Sequence, residues 1–125
     1  MNKRVLVVDD EPDHNLTLKM ILEENGFKVH TFTDPLLALQ NFKEQDGMYD
    51  MIILDMKMPN MNGFELYRQI KKIDDKVKVC FLTASEMDYG VYTDIVNSLD
   101  AEYFIRKPID NEELVKRLNR ILSIK

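Results

Sequence analysis

The run Met51-Ile52-Ile53-Leu54 stops abruptly at Asp55, and that feature constrains the fold more than any other in the chain. A strand with one wet face alternates apolar and polar residues, whereas this run does not. It reads as a strand buried on both faces, as in parallel sheets covered by helices on either side. After Asp55, Pro59 and Asn62-Gly63 supply turn formers, and a helical pattern begins at Phe64. A strand that carries an acid to its C-terminal tip places it where open α/β sheets keep their ligands. Asp55 is therefore the first candidate for chemistry.

The same pattern recurs along the chain. Arg4–Val8 is apolar and β-branched and stops at Asp9-Asp10-Glu11, with Pro12 placed for a helix start. Leu18, Ile21 and Leu22 give a helical stripe to Asn25, which Gly26 ends. Lys28–Phe32 reads as a second strand, and Asp34-Pro35 opens a second helix closed by Asp46-Gly47. Phe64, Leu66, Ile70 and Ile73 mark a third helix. Val77–Leu82 is a fourth strand ending at Thr83-Ala84. Ser85–Asp100 reads as an irregular helix, since Gly90 and the β-branched Val91, Thr93, Ile95 and Val96 disfavour it. Tyr103–Ile105 is a fifth strand before Arg106-Lys107-Pro108. Asp110 or Asn111 caps a last helix carrying Leu114, Leu118, Ile121 and Leu122 on one face. Alternation of five strands with five helices predicts an α/β, doubly wound, five-stranded parallel sheet joined by right-handed crossovers.

Length and charge narrow the possible functions. At 125 residues the chain reads as one domain spanning 1–125, with no repeat or linker. A net charge of −5 with interspersed acids and bases argues against nucleic-acid binding. The single cysteine, Cys80, excludes an internal disulfide and sits in an apolar run as a core residue. Val5–Val8 is too short for the core of a secretion signal, and no run is long enough to cross a bilayer, so the expected compartment is the cytoplasm.

The strand ends carry the chemistry. The first supplies Asp9, Asp10 and Glu11, the third Asp55, the fourth Thr83 and the fifth Lys107. Tips of central strands converge on one crevice in a doubly wound sheet. Two carboxylates about 4 Å apart repel by about 1 kcal/mol in water and about 4 kcal/mol at an effective dielectric near 20. Three together need a counter-charge. Oxygen-only ligands point to a hard divalent cation, and few carboxylates with room for water favour Mg²⁺. Lys107 is suited to a phosphoryl oxygen, and Thr83 can donate a hydrogen bond to another. His14 and His30 read as isolated surface residues, and no histidine is expected at the tips. Met56, Met58 and Met61 read as packing residues rather than metal ligands.

The segments Val8-Asp9-Asp10-Glu11-Pro12, Leu54-Asp55-Met56-Lys57-Met58-Pro59 with Gly63, Leu82-Thr83-Ala84 and Phe104-Ile105-Arg106-Lys107-Pro108 together closely resemble the receiver domain of two-component response regulators. The resemblance covers nearly the whole chain and implies a flavodoxin-like strand order, 2-1-3-4-5. It implies that Asp55 is the phosphoacceptor, taking a phosphoryl group from a phosphohistidine on a sensor histidine kinase or phosphotransfer protein. Asp10, Asp55 and the backbone carbonyl of Lys57 would bind Mg²⁺, with Asp9 assisting through water. Lys107, Thr83 and the Ala84 N–H would hold phosphoryl oxygens, and Pro108 would follow a cis peptide bond.

The resemblance also implies a switch in which Thr83 is drawn to the new phosphoryl group and the aromatic Phe104 packs inward. Phe104 stands where Tyr is common, and Tyr103 should face the other side of the strand. Lys57 and Ser85 occupy positions that tune phosphoryl lifetime in the family, and slow self-hydrolysis is expected. The Thr83–Lys107 span looks longer than usual, and Asp100 replaces a common Gly, which bears on the output face. That face, made by the predicted fourth helix, fifth strand and last helix, would meet a downstream target or a fused output domain. The expected protein is a monomer or a phosphorylation-dependent homodimer that catalyses only its own phosphorylation and dephosphorylation. The sequence ends shortly after the last helix, so a stand-alone regulator and a domain of a longer protein both stay open.

Two other classes compete. A Mg²⁺-dependent phosphatase with an aspartyl-phosphate intermediate usually shows Asp-x-Asp on its first strand, whereas here Asp9 and Asp10 are adjacent. A phosphorylation-independent interaction domain is expected when the acceptor, the acid pair or the lysine is missing, and all are present. A solvated helix cap is the bland reading of Asp9-Asp10-Glu11.

Overall fold

The computed structural model describes residues 3–45, 47–56, 58, 61–83, 104–106 and 110–123, with residues 83 and 106 described by backbone alone. In chain order the elements are β1 (Arg4–Val8), α1 (Pro12–Glu24), β2 (Lys28–Phe32), α2 (Pro35–Glu44), β3 (Met51–Asp55), α3 (Gly63–Ile73), β4 (Lys78–Thr83), β5 (Phe104–Arg106) and α4 (Asn111–Ser123). The helix expected over Ser85–Asp100 and the orientation expected for Tyr103 lie outside the described residues. All strand pairs are parallel, in the order β2-β1-β3-β4-β5.

The apolar runs explain the two-layer packing. Successive side chains of a strand point to opposite faces, so an unbroken apolar run feeds two cores at once. Val5 and Val7 enter one cluster with Leu18 and Leu22 of α1 and Leu114, Leu118 and Ile121 of α4. Leu6 and Val8 enter the other with Phe42 of α2 and Phe64, Leu66 and Ile70 of α3. β3 divides in the same way: Met51 and Ile53 join the first cluster, and Ile52 and Leu54 join the second. Each such side chain contributes about 1.5–3 kcal/mol on full burial. Met56 is buried among them, and Met58 and Met61 pack on the margin.

Local signals set the element ends. Pro12 begins α1. At its other end the Gly26 N–H donates to the Glu23 carbonyl and the Phe27 N–H to the Leu22 carbonyl, each at 3.1 Å. That pair of bonds is a Schellman motif, which requires the positive φ of 90° found at Gly26. Phe27 and Leu22 then meet in the same core cluster. Asp34 Oδ1 accepts the Leu36 N–H at 2.9 Å, Asn62 Oδ1 the Glu65 N–H at 2.9 Å, and Asp110 Oδ1 the Glu112 N–H at 2.9 Å. Each satisfies a donor that the first turn leaves without a partner.

Two outcomes follow from this packing. Burial pushes the Cys80 thiol up to about 12, outweighing the lowering by Arg117. The neutral thiol is thus favoured by the fold, and its contribution is lost as pH rises from about 9 towards about 12. At pH 8 a thiol reagent should label Cys80 only after denaturant unfolds the chain, and fast labelling of the native protein would contradict this. A Cβ on Gly63 would lie 2.6 Å from the Asp55 carbonyl oxygen and 3.0 Å from the Met56 Cα. Gly63→Ala should therefore cost about 1–3 kcal/mol in a urea titration, from overpacking against backbone that cannot swing aside.

Candidate functional site

Asp9, Asp10 and Asp55 meet at the C-terminal rim of the sheet. One carboxylate oxygen from each lies within 4.8 Å of the others. The reason is topological: β1 and β3 are hydrogen-bonded neighbours with Val8 opposite Leu54, so the residues that follow reach the same edge. Asp9 is buried, and Asp10 and Asp55 are half-buried. Screening by water is thus weaker than at an open surface, and the mutual repulsion is correspondingly larger.

The structure also holds the acids in place. Asp9 Oδ1 accepts the Glu11 N–H at 2.9 Å. Glu11 is the N-cap residue of α1 and makes no side-chain capping bond, so the acidic triplet is not simply a helix cap. Asn15 Nδ2 donates to the carbonyls of Asp9 at 2.9 Å and Phe32 at 3.1 Å, which ties the ends of β1 and β2 together. Gly63 N–H donates to the Met56 carbonyl at 3.0 Å, closing the loop that leaves β3. Only a residue without a side chain fits that close approach to Asp55.

The expectation that no histidine stands at the strand tips is corrected here. His14 Nδ1 lies 3.4 Å from Asp9 Oδ2. The residue sits in the first turn of α1, and helical side chains lean back towards the N-terminus, hence over the strand tip. His30 is exposed but not isolated either, since its Nδ1 is 2.9 Å from the Tyr49 hydroxyl.

Asn15 was not singled out from the sequence, although a signal existed. It occupies the buried stripe of α1 with Leu18 and Leu22, and a polar residue on such a stripe needs partners. Its Oδ1 is buried without a hydrogen-bond partner among the described residues.

Thr83 closes β4 beside this rim, one residue beyond the Leu82 that pairs with Asp55. Its side chain, Lys57, Ala84, Lys107 and Pro108 lie outside the described residues. Phe104 packs inward: its ring stacks on Phe81 with centroids 5.1 Å apart and approaches Phe64 at 6.3 Å. Arg117 of α4 donates to the Phe104 carbonyl at 3.0 Å.

Three oxygen donors from the ends of two strands, within 4.8 Å of one another, suit a hard divalent cation such as Mg²⁺ better than a soft one. No helix among the described residues is long and apolar enough to cross a membrane.

Comparison with known proteins agrees with this geometry. The family model for the response regulator receiver domain matches residues 5–119. The chain is 34% identical over 119 residues to the transcriptional regulatory protein CpxR homolog of Haemophilus influenzae, covering 95% of this chain and 50% of that protein. It is 30% identical over 127 residues to sporulation initiation phosphotransferase F of Bacillus subtilis, covering 100% of this chain and 98% of the relative. The chain spans about half the length of several curated relatives, the CpxR homolog among them. A response regulator receiver domain protein from Clostridium thermocellum superimposes with a TM-score of 0.85 at 30% identity, covering 97% of this chain and 94% of that one. An acid cluster on the central strand tips, the strand order β2-β1-β3-β4-β5 and these matches lead to one conclusion: the chain belongs to the receiver domain family of two-component response regulators.

Proposed function

We propose that residues 1–125 form a single receiver domain that accepts a phosphoryl group on Asp55 and switches an output surface in response. The observation that carries this reading is the convergence of the Asp9, Asp10 and Asp55 carboxylates within 4.8 Å. Asp10 and Asp55, with the Lys57 carbonyl, would hold Mg²⁺, and Asp9 would act through water. Bound there, the cation offsets the negative charge that otherwise keeps a phosphoryl donor away.

The chain's own residues do the rest. An Asp55 carboxylate oxygen forms the new O–P bond while the P–N bond of a partner's phosphohistidine breaks, leaving the imidazole. Lys107, Thr83 and the Ala84 N–H hold the other phosphoryl oxygens. Little covalent work is asked of the protein, so alignment and charge compensation suffice. His14 Nδ1, 3.4 Å from Asp9, helps to orient that carboxylate.

The added negative charge draws Thr83 towards Asp55, and Phe104 provides the aromatic half of the switch. The inward stacking of Phe104 on Phe81 supports this, because a phenyl ring has no hydroxyl to hold it in water. The partners are a sensor histidine kinase or phosphotransfer protein and, downstream, a protein target or fused output domain. The latter would meet the surface that includes β5 and α4. The domain works in the cytoplasm, as a monomer or a phosphorylation-dependent homodimer, and turns over no other substrate.

Incubation with a small phosphodonor and Mg²⁺, read by intact mass, tests the reading. Wild type should gain one phosphoryl group, Asp55→Ala none, and omission of Mg²⁺ should suppress the gain. Equal gain by the variant, or none by either protein, would overturn it. Once formed, the phosphoprotein should decay slowly, and a half-life of seconds at neutral pH with Mg²⁺ would contradict the slow self-hydrolysis expected from the residues at positions 57 and 85.

A further inference from the structure

At the opposite rim of the sheet, register brings basic groups together. Arg4 of β1 pairs directly with Lys28 of the edge strand β2, and His30 follows two residues later on the same face. Like charges paired across strands are destabilising unless something offsets them. Among the described residues neither Arg4 nor Lys28 makes an ion pair. Asp50, the acid at this corner, uses Oδ2 to accept the Arg4 backbone N–H at 2.9 Å. Arg4, Lys28, His30 and Tyr49 line a pocket of about 140 Å³, with no carboxylate among them.

Hydrogen bonding fixes how the pocket is lined. The Tyr49 hydroxyl donates to Asn41 Oδ1 at 2.6 Å, so it accepts from His30 Nδ1–H at 2.9 Å. Burial raises the Tyr49 pKa, against a lowering by Arg4, and the phenol therefore adds no negative charge. The imidazole is held by its Nδ1, edge-on to the Tyr49 ring.

We propose that this corner is a binding site for a single tetrahedral oxyanion of the phosphate class, held by Arg4 and Lys28, with His30 and Tyr49 forming the pocket wall. It is separate from the acidic rim: Val5, Leu6, Val7 and Val8 lie between Arg4 and Asp9, a separation of about 16 Å along the strand. The proposal is independent of Asp55 phosphorylation. A free anion and the terminal phosphate of a larger molecule share this chemistry, and the arms of the experiment separate them.

Amide and imidazole NMR shifts should be followed while inorganic phosphate, and separately glycerol phosphate, is added in Mg²⁺-free buffer of low ionic strength. Saturable shifts centred on Lys28, Val29, His30 and Tyr49 are expected. The Arg4→Gln/Lys28→Gln double variant should bind at least about tenfold more weakly, since each charged hydrogen-bond partner matters at about that level. Tighter binding of glycerol phosphate would identify a terminal phosphate as the ligand, and equal or weaker binding a free anion. Should the double variant fail to fold, Lys28→Gln on the exposed edge strand makes the same comparison. Shifts that do not saturate, that chloride reproduces at equal ionic strength, or that survive unchanged in the variants would overturn the proposal.

Discussion

Repulsion among three carboxylates governs the design of this molecule. Left to themselves Asp9, Asp10 and Asp55 would move apart, yet their oxygens stay within 4.8 Å. The frame resists because β1 and β3 are adjacent and each is buried on both faces. Sliding either strand by one residue would move every apolar side chain to the wrong layer. The acids are thus confined by hydrophobic packing several residues away, and the fold stores an attraction for positive charge.

Much of that frame was legible because it rests on short-range rules. Pro12, Asp34 and Gly26 mark helix ends through backbone chemistry that involves only their immediate neighbours. The strands were legible since Val5–Val8 and Met51–Leu54 admit only a two-sided burial. The acid cluster followed from parallel topology, which sends successive strand ends to one rim.

What stayed hidden depends on meetings between distant elements. Gly63 is a turn former in the sequence, but its need to lack a side chain comes from the Asp55 carbonyl, visible only once the loop closes. Asn15 joins two strand ends that are unrelated in the chain. His14 looked isolated because nothing in sequence spacing says that a first-turn helical residue leans back over the preceding strand. The His30–Tyr49–Asn41 chain links a strand, a helix and the loop between α2 and β3, so no local window contains it.

The sharing of β1 and β3 between two apolar layers has a further consequence. Neither layer is a separate folding unit, because peeling α1 and α4 away would bare one side of strands whose other side still packs on α2 and α3. Heat or denaturant therefore meets one indivisible body rather than two halves that melt in turn. The acidic rim disappears in the same all-or-none event that dissolves the core.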